Sequence, residues 1–389
     1  IRRSTITRHL KQLHTMARAL AMMLLMAIAL TTTMSATSAM DITDKDLASA
    51  ESLWALYERW CENHSVEREI GDKTRRFNVF KENARMIHEF NQQDVPYKLS
   101  LNLFGDMTDE EVDRTYGRCS NIRSNGRKRR HQDRLTQGSI IAREDLPAAV
   151  DWRMMGYDQR PSAVTNVKRQ GTCGGCWAFA AIAAVEGINS IRTRNLTSLS
   201  VQQLLDCDKG NEGCRGGNAE GAFEYIIHHG GIEIEAEYPY VGHEHGRCSV
   251  PKQSRNTVVT IDSYKQVPPN EVALMQAVTA QPVVVALDAN STAFRRYGGG
   301  VFVGPCGTDL NHEMTVVGYG TTNEQDSKKR MDYWIVKNSL GPEWGENGYI
   351  RIARDVNSQA EDGLCGILIY ASYPVKFKRK GVNDVMKIV

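Results

Sequence analysis

One cysteine lies at the predicted start of a helix, a position that would activate its sulfur. Cys176 ends the run Gln-Gly-Thr-Cys-Gly-Gly-Cys and precedes a segment that is apolar on nearly all sides, Trp177–Ser190. Such a segment is typical of a helix buried in a core. The first N–H groups of a helix are unsatisfied and lie at the positive end of its dipole, and both effects favour a thiolate. The pattern therefore indicates a cysteine nucleophile, since the thiolate is the reactive form.

A base and an orienting group for that sulfur lie further along the chain. His312 begins a strand-like run, and Asn338 directly follows another one. An imidazole within reach of Cys176 would complete its activation, and the Asn338 amide could orient the ring. Cys173 and Cys176 also form a C-x-x-C pair, so a redox dithiol or half of a metal site is an alternative. No second C-x-x-C pair follows, which disfavours that alternative.

The composition is that of an ordinary globular protein. Of the 389 residues, 41% are hydrophobic and 24% are charged, which excludes a coiled coil, a collagen, a wholly disordered chain and a polytopic membrane protein. The length allows two or three compact units. A formal net charge of +2 gives no electrostatic reason to expect nucleic acid binding.

The sequence divides into five parts. Ala19–Leu30 is apolar, follows Arg18 and precedes small residues; it is shorter than the roughly 20 residues of a membrane span and indicates a signal peptide, with a buried N-terminal helix as the alternative. We therefore predict a signal segment at 1–39, a helical segment at 40–106, a linker at 107–145, a main domain at 146–375 and a basic tail at 376–389.

The main domain has a helical half followed by a strand-rich half. Short helices are predicted at Val201–Cys207 and Asn218–His229, after the buried helix. Strands are then predicted at Val283–Leu287, Met314–Tyr319, Tyr333–Lys337 and Tyr349–Ala353, with glycine-rich turns between them. This order predicts an α+β domain of two lobes with a cleft between them.

Several ordered motifs make the chain resemble the papain-like cysteine proteases, in particular the plant bromelain–ananain type. The motifs are Val150–Arg153, Gln170–Phe179, Cys214–Gly217, Gly304–Gly307, Leu310–His312, Val316–Gly320 and Trp344–Tyr349. The resemblance implies a two-lobed papain-like fold, with a helical left lobe and a β-barrel-like right lobe, preceded by a helical propeptide domain. It also implies a cysteine endopeptidase made as a zymogen, whose propeptide blocks the cleft until the linker is cut.

The resemblance assigns roles to individual residues. Cys176 would be the nucleophile, His312 the base and later the acid, and Asn338 the group that holds the ring; the Gln170 side chain would join the Cys176 N–H in the oxyanion hole. Gly216 and Gly217 would hold the substrate backbone. The pocket for the second residue before the scissile bond would be lined by Asn218, Ala219, Ala286, Leu310, Glu313 and Tyr370.

Two residues depart from the family pattern. Leu340 stands where tryptophan usually shields the Asn338–His312 contact, so we expect a weaker shield and a reduced but surviving activity. Glu313 replaces a small apolar residue and could favour arginine or lysine in substrates; the alternative is that its side chain faces solvent or crowds the pocket. These changes motivate a second reading, a catalytically weak homologue that binds peptides or serves as a storage protein.

The resemblance implies the disulfides Cys173–Cys214, Cys207–Cys248 and Cys306–Cys365, which leave Cys176 as a free thiol. It gives no partner for Cys61 or Cys119. Sequons that could carry glycans begin at Asn63, Asn195 and Asn290.

The spaced propeptide signature of the family corresponds to six positions of the helical segment, with aspartate in the first place where glutamate is usual. These positions are Asp72, Arg76, Phe80, Asn83, Ile87 and Asn91. Acid would loosen such a propeptide by protonating its carboxylates.

The expected partners are peptide and protein substrates and the chain's own propeptide as an intramolecular inhibitor, and the resemblance also admits cystatin-like inhibitors. We expect no cofactor, no metal ion, no nucleic acid and no membrane span once the signal is removed, and we expect a monomer. The signal segment predicts the secretory pathway, ending in a vacuole- or lysosome-like compartment or outside the cell.

Overall fold

The computed structural model describes residues 40–116, 119, 143–154, 162–250, 258–323, 330–354 and 361–377. The predicted signal segment, most of the linker and the tail from residue 378 lie outside these ranges. The described residues from Asp41 onward form one compact unit. Within these ranges no helix combines the length and the apolar character needed to cross a membrane.

The predicted helical segment is helical. Its helices are α1 Asp44–Leu47, α2 Ala50–Asn63, α3 Ile70–Asn91 and α4 Asp109–Tyr116. Thr43 and Ser49 begin α1 and α2, because each side chain accepts a hydrogen bond from the backbone of the first turn. The apolar stripe of α3, Phe80, Ala84 and Ile87, is buried as predicted. It packs on the aromatic face of α2, where Phe80 lies against Tyr57 and Trp60.

A buried carboxylate joins the helices to the chain that follows them. Asp106 is fully buried; the Arg68 guanidinium donates to both of its oxygens at 2.9 and 2.8 Å, and the Tyr57 hydroxyl donates at 3.2 Å. The Trp60 indole N–H donates to the Asn102 carbonyl at 2.9 Å. These contacts fix the turn that leads from α3 towards α4.

The main domain begins with a helical lobe. Its elements are α5 Cys176–Thr193, α6 Val201–Cys207, α7 Ala219–His228 and a 3₁₀ turn at Gly213–Arg215. The predicted helices therefore exist, with boundaries shifted by one to three residues for α5 and α7. Nearly every residue of α5 from Cys176 to Ser190 is buried, because α6 and α7 cover this apolar helix.

A mixed sheet forms the second lobe and includes each predicted strand. The strands are β1 Tyr97–Leu99, β2 Val150–Asp151, β3 Ser263–Gln266, β4 Val283–Leu287, β5 Tyr297–Phe302, β6 His312–Thr321, β7 Asp332–Lys337, β8 Tyr349–Ala353 and β9 Ala371–Val375. Helices α8 Glu271–Ala280 and α9 Thr292–Arg295 complete the lobe. The strand order is β1-β5-β8-β7-β6-β4-β9-β3, with β2 on β6. Over the described strands this sheet stays open, so the lobe differs from a closed barrel.

Strand β1 was not predicted from the sequence. It belongs to the N-terminal helical segment, yet it pairs antiparallel with β5 of the main domain, and Tyr97 lies opposite Gly300. A Cβ on Gly300 would lie 2.3 Å from the Pro96 carbonyl, and Gly300 has φ +94°. Glycine therefore permits the close approach of the two strands. The N-terminal segment extends the sheet of the domain that it covers.

Charged contacts hold α4 on the main domain. The Arg296 guanidinium is buried and donates to Asp109 at 2.6 Å and to Asn83 at 3.0 Å. Arg295 pairs with Asp113, and the Thr292 hydroxyl donates to Asp109. Burial alone would raise the pKa of Asp109, but the hydrogen bonds from Thr292 and Arg296 and the arginine charges outweigh it and lower that pKa below its usual value.

We predict that Asp109→Asn weakens docking of the N-terminal segment at neutral pH, because Arg296 loses an ionised partner. The docking equilibrium should fall about thirtyfold, equivalent to about 2 kcal/mol. Hydrogen exchange of the β1 and β5 amides measures the change. Since the pKa of Asp109 is lowered by docking, its contribution is complete above about pH 4 and is lost as the pH falls through the lowered value. Wild type and variant should therefore converge in acid.

The matched control is Glu82→Gln, which removes a surface carboxylate 3.7 Å from Arg85 on the same helix segment. It should leave exchange of β1 and β5 unchanged at every pH. Equal exchange in Asp109→Asn and wild type at neutral pH would contradict the role of Asp109.

Candidate active site

Cys176 is the first residue of α5. Gly175 precedes it as the N-cap and provides no side chain to cap the helix. A Cβ on Gly175 would lie 3.2 Å from a Leu205 methyl group and 3.4 Å from the Cys173 sulfur, so the site favours glycine. The Cys176 sulfur, which is fully buried, therefore lies at the positive end of the helix dipole.

His312 and Asn338 come from neighbouring strands and meet as expected. His312 begins β6, and Asn338 follows the last residue of β7. His312 Nε2 lies 2.9 Å from Asn338 Oδ1, which also accepts the Ser339 backbone N–H at 2.8 Å. Because that second bond fixes Oδ1 as an acceptor, His312 Nε2 must carry the hydrogen. In a neutral ring, Nδ1 is then the free base.

The expectation that Cys176 is a free thiol is wrong for this form of the protein. Cys176 forms a disulfide with Cys119, 57 residues earlier in the chain. Cys119 is fully buried, and its sulfur lies 3.2 Å from His312 Nδ1. The sequence-based pairing failed here because it considered only the cysteines of the main domain, whereas folding of the preceding segment carries Cys119 into the site.

The disulfide also bears on metal binding. Cys119, Cys176 and His312 offer ligand atoms within 4.8 Å of one another. The two sulfurs are bonded to each other, however, and a metal site needs thiolates. Burial lowers the pKa of His312, and the Asn338 hydrogen bond only partly offsets this effect. The bridged site therefore contains a neutral imidazole facing a disulfide.

Gln170 is buried, and hydrogen bonds fix both its side chain and its backbone carbonyl. Its Oε1 accepts the Ser339 hydroxyl at 2.6 Å, and its Nε2 donates to the Cys173 carbonyl at 3.1 Å. The Tyr240 hydroxyl donates to its backbone carbonyl at 2.5 Å. Since one amide hydrogen is used by Cys173, the other remains for an oxyanion. Ser339 and Tyr240 were not singled out from the sequence, because their partners are distant in the chain.

The other cysteines have the partners that the resemblance implies. The structure contains Cys173–Cys214, Cys207–Cys248 and Cys306–Cys365. Cys61 is a free, buried thiol in α2, and burial raises its pKa. The C-x-x-C reading is therefore not supported, since the two cysteines of that pair bond to different partners.

The six residues expected to line a pocket fall into two groups. Ala286, Leu310 and Tyr370 form one small apolar cluster. Glu313 lies opposite Ala286 on β6, and its Oε2 accepts the Ala219 backbone N–H at 3.0 Å. Asn218 caps α7 by accepting the Gly221 N–H. Glu313 is almost completely buried, so the alternative that its side chain faces solvent is wrong.

The expected glycine edge lies beside the nucleophile helix. Gly216 ends the 3₁₀ turn with φ 126°. A Cβ on Gly217 would lie 2.8 Å from the Trp177 ring and 2.5 Å from Asn211. The Trp177 indole N–H in turn donates to the Gly213 carbonyl at 3.0 Å. The turn is thereby fixed against the start of α5.

A buried charge network behind the site was missed from the sequence. Glu186 of α5 accepts Lys168 at 2.9 Å and the Thr165 hydroxyl at 2.6 Å. Lys337, next to Asn338, donates to the Thr165 carbonyl at 2.9 Å. Burial lowers the pKa of Lys337 to about 8, although Glu186 opposes this shift. The network joins the nucleophile helix to the strand that carries Asn338.

Comparisons with known proteins agree with this geometry. The pattern described as "Papain family cysteine protease" matches residues 146–375, and the "Cathepsin propeptide inhibitor domain (I29)" matches residues 57–112. Vignain from Vigna mungo is 48% identical over 358 residues, which cover 91% of this chain and 94% of vignain.

Solved structures of precursors have the same fold. The ragweed pollen cysteine protease Amb a 11 in its proform has a TM-score of 0.73 and 42% identity, covering 87% of this chain and 99% of that one. The recombinant stem bromelain precursor has a TM-score of 0.70 and 41% identity, covering 83% and 99%. The chain therefore belongs to the papain family of cysteine proteases, as an endopeptidase with its own inhibitory propeptide.

Proposed function

We propose that the main domain hydrolyses peptide bonds through Cys176 and His312, with Asn338 orienting the imidazole and Gln170 in the oxyanion hole. The observation that carries this assignment is the fixed tautomer of His312. Asn338 holds the Nε2 hydrogen at 2.9 Å, and Nδ1 faces the sulfur atoms at the start of α5. An imidazole held in this way can take the thiol proton once Cys176 is released.

The geometry supports each chemical step. The Cys176 thiolate attacks the carbonyl carbon, and the negative charge on the carbonyl oxygen is stabilised by the Cys176 N–H and by the free amide hydrogen of Gln170. His312 then protonates the leaving amine, so that a thioester remains on Cys176. Water, deprotonated by His312, hydrolyses the thioester and restores the thiol.

The test uses the reduced enzyme after its propeptide has been removed at acid pH with added pepsin. An irreversible thiol-directed peptide inhibitor should label wild type at Cys176. Gln170→Ala should still be labelled, but its kcat should fall about a hundredfold with little change in KM, because the oxyanion donor acts mainly in the transition state. Ser339→Ala should show a smaller loss, since it only frees the Gln170 side chain.

The second reading, a catalytically weak peptide-binding or storage homologue, predicts a different outcome. The processed wild type would then bind peptides without turnover, and the inhibitor would not label Cys176. Labelling of another cysteine, or wild-type kcat in Gln170→Ala, would contradict the proposed roles.

We infer that Glu313 favours a basic substrate side chain in the pocket with Ala286, Leu310 and Tyr370. Its carboxylate is buried and has the Ala219 N–H as a hydrogen-bond donor. A lysine or arginine side chain entering the pocket would supply a positive partner, and charge-assisted hydrogen bonds are the stronger ones.

We predict that Glu313→Gln lowers the ratio of kcat/KM for arginine over leucine at the second residue before the scissile bond. Hydrogen bonds to charged groups contribute about 1.5–3 kcal/mol, so the ratio should fall roughly ten- to hundredfold. Glutamine keeps the volume and the acceptor for Ala219, which separates charge from packing. An unchanged ratio would contradict the inference.

Leu340 lies next to His312 at a cavity, where a tryptophan would fill more space. It lines this cavity together with His312, Asn311 and Phe294 and with Phe104 and Tyr116, which precede the main domain. Asn338 Nδ2 is buried without a hydrogen-bond partner among the described residues. We infer that leucine leaves this contact more accessible to water once the propeptide is removed.

We predict that Leu340→Trp raises kcat of the processed enzyme about fivefold, equivalent to about 1 kcal/mol of the barrier, with little change in KM. The indole would exclude water, which strengthens the His312–Asn338 hydrogen bond. Leu340→Met, which conserves volume, is the control and should retain the wild-type kcat. A kcat for Leu340→Trp at or below the wild-type value would count against the shielding role.

We propose that the protein acts in the secretory pathway, in a vacuole- or lysosome-like compartment or outside the cell. Its disulfides support an oxidising compartment. Of the sequon asparagines, Asn63 and Asn195 are exposed, whereas Asn290 is partly buried; their glycosylation, a monomeric state and binding of cystatin-like inhibitors remain predictions.

A further inference from the structure

Cys119 occupies the position where a thiolate and an imidazole would meet. Its sulfur is bonded to the Cys176 sulfur and lies 3.2 Å from His312 Nδ1. The Cys176 sulfur accepts the Glu313 backbone N–H at 3.3 Å. Cys119 therefore blocks both partners at once: it removes the nucleophile and covers the free nitrogen of the base.

We infer that the Cys119–Cys176 bond is a thiol-exchange site that keeps the precursor covalently inactive until a thiol or dithiol reductant opens it. The inference rests on the proposed role of Cys176 as nucleophile. The reductant class is either a small thiol such as glutathione or a protein dithiol. Both supply the same two electrons, but they differ in size and therefore in their access to the buried disulfide.

The bond adds an inhibition that acid and proteolysis do not relieve. Protonation of Asp109 weakens the non-covalent contact with Arg296, but a disulfide is unaffected by that change. Cleavage of the linker after Cys119 would leave the propeptide attached to the main domain through sulfur. Release of active enzyme therefore requires reduction in addition to acid and cleavage.

Complete reduction of the Cys119–Cys176 bond consumes two reductant thiols. A reductant thiolate attacks the Cys119 sulfur, the S–S bond breaks, and Cys176 leaves as a thiolate. A second thiol attacks the mixed disulfide on Cys119, which releases the oxidised reductant and leaves Cys119 as a thiol. The proton of the first thiol is available to His312 Nδ1. Cys176 is the better leaving group because the start of α5 stabilises its negative charge.

Burial of the two sulfurs controls how fast the bond can be reduced. The Cys119 and Cys176 side chains are both fully buried, and thiol exchange requires access to the attacked sulfur. At constant pH, loosening of the contacts around α4 should therefore accelerate reduction. A small thiol should act on the docked precursor faster than a protein dithiol does.

The test uses the full chain as wild type, Cys119→Ser and Cys61→Ser, each alkylated before digestion without reductant. Wild type and Cys61→Ser should give a peptide pair joined through Cys119 and Cys176. Each protein is also cut with pepsin at acid pH and separated without reductant. The propeptide fragment containing residue 119 should stay attached to the main domain in wild type and Cys61→Ser, and it should be free in Cys119→Ser.

Peptidase activity of samples that are cut with pepsin but not alkylated gives the second readout. Without thiol, wild type should show about one hundredth of its activity with glutathione, because the bridged sulfur has no thiolate form. Cys119→Ser should be active without thiol, and glutathione should change its rate less than twofold.

The inference is overturned if wild type yields no Cys119–Cys176 peptide pair while the three disulfides of the main domain are found. It is also overturned if acid and pepsin alone release the fragment from wild type. Both readouts are independent of turnover. If the peptide pair is present but Cys119→Ser is labelled at Cys176 without cleaving substrate, the bond stands and the proposed function fails. If Cys119→Ser does not fold, glutathione-dependent release from wild type decides.

Discussion

The rest of the structure depends on the proximity of the Cys176 sulfur to the His312 imidazole. Cys176 comes from the helical lobe and His312 from the sheet, so their distance depends on how the two lobes pack. The Thr315 hydroxyl of β6 donates to the Ala180 carbonyl of α5 at 3.1 Å, and the Glu186–Lys337 region joins α5 to β7. These buried polar contacts have directional requirements, and they orient the lobes more precisely than apolar packing alone.

The segment that precedes the main domain contacts that domain in three ways. Its strand β1 extends the sheet, its carboxylates pair with the buried Arg295 and Arg296, and its Cys119 bonds to the nucleophile. The ion pairs depend on pH, whereas the disulfide depends on reduction. Under the proposed thiol exchange, two different conditions would therefore act on one cleft.

Glu313 would serve both stability and the proposed substrate preference. Its buried carboxylate accepts the Ala219 backbone N–H at the N-terminus of α7, across the lobes. A negative charge at a helix N-terminus is favourable, so Glu313 also stabilises the contact between the lobes when no substrate is bound. A change of substrate preference at this position therefore also alters the contact between lobes.

The nucleophile candidate, its base and most elements of the main domain were predictable from the amino-acid sequence alone. Strands β4 and β8 have the predicted boundaries, because local signals mark them: a continuous apolar run in β4, and a short run of strand-forming residues after a glycine turn in β8. The pairing of Cys119 with Cys176 was not predictable, since it joins the main domain to a cysteine 57 residues earlier, in the predicted linker. Strand β1 was also missed, because three residues carry no periodicity and form a strand only against β5. The tertiary structure decided these features, since each depends on a partner that folding alone brings near.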